Sequence, residues 1–382
     1  MDPSEANAIA KRLTDGWIQR CGGRSLEPAQ TSPNPAAHLL IALFIASLGS
    51  SAQRSVAPYK LAGIIQSLDR QMDMYERSDL LDLALDCIPL QDLHTTAERL
   101  VESKEVPGFE DGLADALVKW FKTWFKWADP IKCPLCSGKT NFAGMGTPDA
   151  EESLGGAGRI ELHRCAGETQ PNCTGLFRFP RYNDPKALMK SCLGRCGEFA
   201  NLFCLFLRAV GLRARYVWNL EDHVWNEHFS PSMGRWIHLD SCEAVRNEPL
   251  LYDRGWGKKM SYVLAFSVDG AQDVSRGYVQ DWQEALTRRL QGSEDGLKQI
   301  LDDVTRRRRV GRSPSDTEQL EQEDRTESEW LADAPRRNKT EPTAIDGEGR
   351  QSGTEEWKRQ RGEDGTRTGT DTHEDTDAEP QP

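Results

Sequence analysis

Six of the ten cysteines fall within the 64 residues from Cys133 to Cys196. No other feature limits the fold as much. The start, Met1-Asp2-Pro3-Ser4-Glu5, puts acids where a secretory signal needs a basic stretch and an apolar core. The thiols are therefore expected to be reduced. Crowded reduced thiols point to a metal site or to catalysis. Cys133-Pro134-Leu135-Cys136 is a knuckle, and Cys165 with Cys173 supplies a second pair. Two thiolate pairs make a tetrahedral Zn²⁺ site the default, one ion per chain. Its four protein ligands leave no open position for substrate, so its role is structural. Seven residues separate Cys165 from Cys173, wider than usual, and His163 is an alternative ligand. A redox role is disfavoured, because no βαβ pattern surrounds the knuckle.

Periodicity divides the chain. Ile9, Leu13, Trp17 and Ile18 form one apolar stripe, which predicts a helix over 5–21. Further helices are expected over 37–49, 58–73, 78–87, 91–103 and 110–127, making 1–127 a mainly helical region that packs on the core. The most apolar stretch, Ala36 to Leu48, is 13 residues long. A membrane span needs about 20, so no span is expected. A zinc-binding subdomain follows over 128–180, with a glycine-heavy loop at 137–158 and short strands over 159–180. The catalytic core is expected over 181–304. It contains a helix from Gly194-Arg195-Cys196 to Val210 with Gly211 as its cap, strands at 213–219, 222–229, 235–241 and 262–268, and a helix over 280–304. The fold class is α+β with an antiparallel sheet.

Charge sets the last boundary. Of 60 acidic and 48 basic residues, 20 and 9 lie in Ser313–Pro382, so residues 1–312 balance to within one charge. The apolar fraction is 37%, and the tail holds few sizeable apolar side chains. Residues 305–382 are therefore expected to be a basic helix end, Arg306 to Arg309, followed by a disordered acidic extension. The balanced body gives nucleic-acid binding no support. The arginine run reads as a solvated helix end, with a nuclear signal or phosphate contact as the other options.

The chemistry-bearing letters lie in the core. A turn of small residues places Cys196 at a helix N-terminus, where unpaired N–H groups and the dipole favour a thiolate and can hold an oxyanion. Asp222-His223-Val224-Trp225-Asn226-Glu227-His228-Phe229 and Arg235-Trp236-Ile237-His238-Leu239-Asp240 flank Ser230-Pro231-Ser232-Met233-Gly234, a hairpin pattern. A turn centred between Pro231 and Ser232 sets His223 opposite Asp240, Trp225 opposite His238 and Glu227 opposite Trp236. All six then share one face. Cysteine, histidine and carboxylate together are what nucleophilic catalysis requires. His238 and His228 read as supporting or surface groups.

These segments carry a resemblance. Gly194-Arg195-Cys196-Gly197-Glu198, Asp222-His223-Val224-Trp225 and His238-Leu239-Asp240-Ser241-Cys242-Glu243 resemble the transglutaminase-like (papain-like cysteine) core of the cytoplasmic peptide:N-glycanases. Arg178-Phe179-Pro180-Arg181-Tyr182-Asn183-Asp184-Pro185 and Gly257-Lys258-Lys259-Met260-Ser261-Tyr262 fit the same pattern, as do Leu85 to Leu90 and Trp120 to Trp127. The likeness covers roughly 75–285. It implies an amidase (EC 3.5.1.52) that cleaves between the proximal N-acetylglucosamine and asparagine of misfolded glycoproteins during protein quality control. Cys196 is then nucleophile, His223 base and acid, and Asp240 the orienting carboxylate. Glu243 contacts substrate, and Trp127, Trp225 and Trp236 wall the cleft. The zinc ligands carry over as Cys133, Cys136, Cys165 and Cys173. Phe199 stands where many members have tryptophan.

The resemblance also implies a cytoplasmic, or additionally nuclear, monomer. The 5–21 helix either docks on a ubiquitin-receptor or proteasome-shuttle protein or packs on the core. The competing readings are a weakly active or silent adaptor in proteasome-linked quality control, a DNA-damage recognition protein and a crosslinking transglutaminase. The intact triad letters oppose the second. The zinc knuckle and Arg178 to Asn183 oppose the third.

Overall fold

The computed structural model describes residues 60–340, 349–360 and 363. The helices expected over 5–21 and 37–49 lie outside these residues. The described part of the mainly helical region holds α1 (Ala62–Gln71), α2 (Ser78–Cys87), α3 (Leu90–Glu102) and α4 (Phe109–Trp124). α4 stops three residues short of the expected 127, because Phe125 turns extended. Lys126–Trp127 instead form β1, which pairs in parallel with β5 (Leu193–Gly194). That pairing sets Trp127 beside the turn leading to Cys196.

The glycine-heavy insert is not a loop. It contains β2 (Thr140–Gly146) and α5 (Ala150–Leu154), and β2 joins β3 (Ile160–Cys165) and β4 (Leu176–Pro180) in an antiparallel sheet. Asp149 and Glu152 cap α5 reciprocally, each side chain accepting the other's backbone N–H at 2.8 Å. Glu152 also accepts from Arg178 Nε on β4 at 2.9 Å. The insert is thereby tied to the sheet.

After α6 (Pro185–Ser191), the central element is α7 (Cys196–Ala209). Ten of its fourteen residues are buried. Gly211, at φ +83°, turns the chain out of it. Behind α7 runs a six-stranded sheet in the order β11-β10-β6-β7-β8-β9. Its strands are β6 (Ala214–Asn219), β7 (His223–Ser230), β8 (Arg235–Asp240), β9 (Val245–Arg246), β10 (Val263–Ser267) and β11 (Gly270–Asp273). Alternation separates two faces. Tyr216, Val224, Leu239, Leu264 and Phe266 pack with α7. Val217, Trp225, Val263 and Ala265 pack with Tyr252, Trp256, Tyr278 and Trp282 on the other side.

The hairpin pairs Glu227 with His238, Phe229 with Trp236 and Ser230 with Arg235. This register differs by two residues from the expected one, because the connection is a four-residue loop closed by Ser230 and Arg235. A shift of two preserves the face of every side chain.

The expected helix over 280–304 is divided. α8 (Ser275–Tyr278) and α9 (Trp282–Thr287) precede α10 (Glu294–Arg308), which Ser293 caps by accepting from Gly296 N at 3.0 Å. The arginine run is only half solvated, with Arg306 and Arg307 exposed and the other two held by acids. Arg308 pairs with Asp69 and Asp73, and Arg309 pairs with Asp324.

Residues 314–340 also depart from the expected disorder. They form α11 (Pro314–Thr340), with α12 (Glu355–Gln360) further on. Leu320, Glu323, Glu327, Leu331, Ala334 and Asn338, spaced by three and four, make one stripe along α11. Leu320, Leu331, Ala334 and Asn338 are buried. Glu323 binds Arg213 at 2.7 and 3.0 Å, and Glu327 binds Arg215 at the same two distances. Asn338 Nδ2 donates to the carbonyl of Val279 at 2.9 Å. Two stripe positions are carboxylates whose partners lie on β6 and just before it, so the stripe does not stand out as apolar.

Candidate active site

Cys196 is the first residue of α7, and Arg195 caps the helix in extended conformation. The N–H groups of the first turn have no partner within the helix. Five charges hold the entry. Arg195 binds Asp129 at 2.7 Å and Glu161 at 2.9 Å. Arg181 binds Glu198 at 2.6 Å and Glu161 at 2.9 Å. Glu198 also accepts from Arg195 N at 3.0 Å. Glu161 lies on β3, so the cysteine-rich subdomain helps set the approach to Cys196.

His223 opens β7 and Asp240 closes β8, which brings both to one end of the hairpin. They are not directly paired. Their side chains nevertheless meet diagonally, with His223 Nε2 2.8 Å from Asp240 Oδ2, both fully buried. Asp240 Oδ1 accepts from Cys242 N at 2.7 Å and Glu243 N at 3.3 Å. With Nε2 committed to Asp240, the His223 nitrogen left for Cys196 is Nδ1. It makes no aligned hydrogen bond in this state, although Cys196 and His223 perturb each other electrostatically. Burial alone raises a thiol pKa, but His223 and then Arg350 outweigh it and hold Cys196 below its ordinary value. Burial alone lowers an imidazole pKa, yet the Asp240 carboxylate raises that of His223. The His223 charge overcomes burial to keep the Asp240 carboxyl well below the usual carboxylate range. All three shifts favour a thiolate–imidazolium pair oriented by a carboxylate.

The other expected site residues divide. Trp127 is half-buried and stands by the entry to Cys196. Trp225 is completely buried, stacked on Tyr252 at 4.2 Å, and supports His223 from beneath instead of walling a cleft. Trp236 lies four positions before Asp240, about 13 Å along the strand. It packs against Phe229 and the Arg215 guanidinium, away from the triad. Phe199 is buried behind Trp127, edge-on to Phe125 at 4.8 Å, so it is not a cleft wall. His228 and His238 are interior groups. His228 lies 3.5 Å from Asp111, which also accepts from Ser230 Oγ at 2.7 Å.

Three neighbours of the site went unread. Trp256 lies 5.0 Å from the His223 ring. Tyr252 donates to Asp240 Oδ2 at 2.9 Å. Arg350 is buried with its guanidinium 5.0 Å from the Trp127 ring and 4.8 Å from that of Trp256. Glu243 accepts from the backbone N–H of Gln351 at 2.8 Å and of Ser352 at 3.2 Å, and also from Ser352 Oγ. The chain's own residues 350–352 thus lie against Trp127 and Glu243. Tyr252 and Trp256 resemble ordinary core aromatics in the sequence. Arg350 had no local signal at all.

The Sγ atoms of Cys133, Cys136, Cys165 and Cys173 all lie within 4.8 Å of one another. Two of the separations are 3.7 and 3.5 Å. Four thiolates around one tetrahedral zinc are about 3.8 Å apart, so the donors fit. A Cβ at Gly175 would run into the Cys133 sulfur, so the backbone there leaves room only for the sulfurs. His163 lies outside the cluster and 3.5 Å from Glu161. The wide Cys165–Cys173 spacing does not remove the fourth ligand. The cluster can hold a metal ion.

The comparisons fit this geometry. Over 324 residues the chain is 40% identical to the peptide-N(4)-(N-acetyl-beta-glucosaminyl)asparagine amidase of Yarrowia lipolytica, covering 82% of this chain and 88% of that one. The chain belongs to that amidase family. The Saccharomyces cerevisiae amidase is 40% identical over 67% of this chain and 71% of its own length. The human amidase is 39% identical over 68% of this chain, but the match spans only 40% of that protein. Residues 149–241 match the transglutaminase-like superfamily, and 218–329 match the Rad4 transglutaminase-like domain. A solved Rad4-Rad23 complex bound to a UV lesion overlaps 74% of this amidase-family chain and 58% of its own at 15% identity and TM-score 0.45, too weak a likeness to carry an argument.

Proposed function

We propose that this chain hydrolyses the amide between N-acetylglucosamine and asparagine, with Cys196, His223 and Asp240 as its catalytic residues. The observation that carries this reading is the buried His223–Asp240 contact beside the helix-terminal Cys196, in a chain of this family. The Cys196 thiolate attacks the side-chain carbonyl carbon of the glycosylated asparagine. First-turn N–H groups of α7 face the developing oxyanion. The His223 imidazolium passes its proton to the departing glycosylamine nitrogen, leaving a thioester on Cys196. Water, giving its proton to His223, then cleaves the thioester to aspartate and returns the thiolate. The released glycosylamine loses ammonia in water. Asp240 holds the imidazole and takes no proton.

Trp127 and Glu243 offer an indole face and a carboxylate to the substrate's sugar and peptide. The four cysteines hold structural zinc, and no step passes through it. The substrates are misfolded N-glycoproteins in the cytoplasm. In support, all nine described cysteines are free, and none of the described helices is long and apolar enough to cross a membrane. A ubiquitin-receptor or shuttle protein remains the proposed partner.

The test is deglycosylation of heat-denatured glycoprotein, read by mass spectrometry as conversion of asparagine to aspartate. Wild type should convert it and Cys196→Ala should not. A folded, metal-loaded wild type without activity would favour the adaptor reading.

A further inference from the structure

The His223–Asp240 pair rests on a second hydrogen-bonded chain that the reaction scheme does not use. Asp240 Oδ2, which holds His223, also receives a hydrogen bond from Tyr252 Oη at 2.9 Å. Tyr252 Oη lies 2.7 Å from His238 Nε2. His238 Nδ1 accepts from the backbone N–H of Glu248 at 3.2 Å. Asp240, His238 and Tyr252 are all buried.

The proton positions follow from the donors. A backbone N–H can only donate, so His238 Nδ1 carries no proton. Its Nε2 therefore carries one and donates to Tyr252 Oη. The tyrosine hydroxyl, having accepted, donates to the ionised Asp240. Every bond points the same way, from a peptide group to the carboxylate. Burial keeps His238 neutral by lowering its pKa to about 4, which this polarity requires. Stacking of Tyr252 on Trp225 at 4.2 Å fixes the phenol plane.

We infer that Tyr252 and His238 are positioning residues for the reaction, forming a one-way relay that orients the Asp240 carboxylate and limits its pull on His223. Tyr252 acts through Asp240, and His238 acts through Tyr252. The inference builds on the proposed function, because it assigns roles around the same triad.

Without the phenol hydroxyl, Asp240 Oδ2 keeps only His223 as a donor. The carboxylate becomes more basic and freer to turn. His223 then holds its proton to higher pH but is less well aligned. The charged and titratable groups facing or coupled to His223 are Asp240, Cys196, Tyr252, His238 and Arg350, with Asp222 adjacent in sequence. Of these, Tyr252→Phe alters only the one it replaces.

The experiment compares Tyr252→Phe, His238→Gln, His238→Leu and the double variant Tyr252→Phe/His238→Leu. Phenylalanine retains the ring stacking, so this variant folds. One readout is kcat and KM on a glycopeptide across pH. The other is the pH dependence of Cys196 alkylation by iodoacetamide, followed on its tryptic peptide, which needs no glycan cleavage. Tyr252→Phe is expected to lower kcat about tenfold to a hundredfold, the worth of one hydrogen bond to a charged group. KM should stay constant, and the upper step of both pH profiles should move to higher pH. His238→Gln, whose amide can still donate to Tyr252, should stay within a few-fold of wild type. His238→Leu should add nothing in the Tyr252→Phe background. Unchanged kcat and pH profiles in Tyr252→Phe would overturn the relay, as would additive losses in the double variant. A shifted alkylation profile in a chain that cleaves no glycopeptide would keep the relay and remove the proposed function.

Discussion

Cutting the chain after Arg312 removes α11, which composition alone assigns to a disposable tail. Arg215 is only 5% exposed at its side chain and is held between Glu227 on β7 and Glu327 on α11. Losing Glu327 while Glu227 stays costs about 1.5–3 kcal/mol, the worth of hydrogen bonding to a charged group. Leu320 and Leu331 are also buried, and exposing their contact surfaces costs about 1.5–3 kcal/mol each. These losses reach roughly 4.5–9 kcal/mol, set against a total stability of about 5–15 kcal/mol. Arg213 loses Glu323 as well. Truncation after Arg312 should therefore yield a protein that melts below 37 °C or aggregates, without glycopeptide hydrolysis. Truncation after Thr340 keeps every α11 contact and should melt within a few degrees of the full chain. It also removes residues 350–352 from Glu243 and Trp127, so its KM should fall, and it takes Arg350 away from Cys196, so the thiolate should form at higher pH. The assays are thermal unfolding by circular dichroism and steady-state kinetics on one glycopeptide. A 1–312 protein with full-length melting and turnover would refute the reasoning about α11. An unchanged KM in 1–340 would refute the reasoning about 350–352.

Two further outcomes follow from the site. Stripping metal with a chelator, or substituting Cys165→Ser, should lower both the melting temperature and activity, because β3 carries the Glu161 that binds Arg181 and Arg195. Elemental analysis should give one zinc per chain, and a chelated protein with unaltered melting and turnover would contradict the link. His228 and His238 are both pushed down to about 4, burial being the largest cause. Their folded pKa values lie below the unfolded value near 6.5, so the unfolded chain binds more protons between those pH values. Stability should fall as pH drops through that window, by roughly 2 kcal/mol per histidine between pH 7 and 5. The raised pKa of His223 works in the opposite sense and offsets part of this. A melting temperature equal at pH 7 and 5 would show that these rings are not held neutral.

Much of the site was legible because its signals are local. Cys196 sits at a helix start announced by small residues and an apolar run. His223 and Asp240 sit on the arms of a hairpin whose alternation survives an error of two in register. The Cys133–Cys136 knuckle announces itself by spacing. What was missed depends on distant partners. Glu323 and Glu327 look like solvated acids until Arg213 and Arg215 are placed beneath them. Tyr252 gains meaning only from Asp240, twelve residues away, and Arg350 only from Trp127 and Trp256. The resemblance places Trp225 and Trp236 at the cleft, because matching motif letters carry a residue's type but not the depth of what covers it.

The hairpin register also makes the triad indivisible. Slipping β8 by one residue against β7 would turn Asp240 to the opposite face. Slipping by two would keep the face but carry the carboxylate about 6.6 Å along the strand, out of reach of His223. Only one alignment of the two arms provides both the base and its carboxylate. That alignment is fastened at the far tip, where Ser230 Oγ donates to Asp111 on α4 and accepts from Met233 N at 3.1 Å. A residue remote from Cys196 thereby acts as the zero mark of a ruler on which the reacting groups are read.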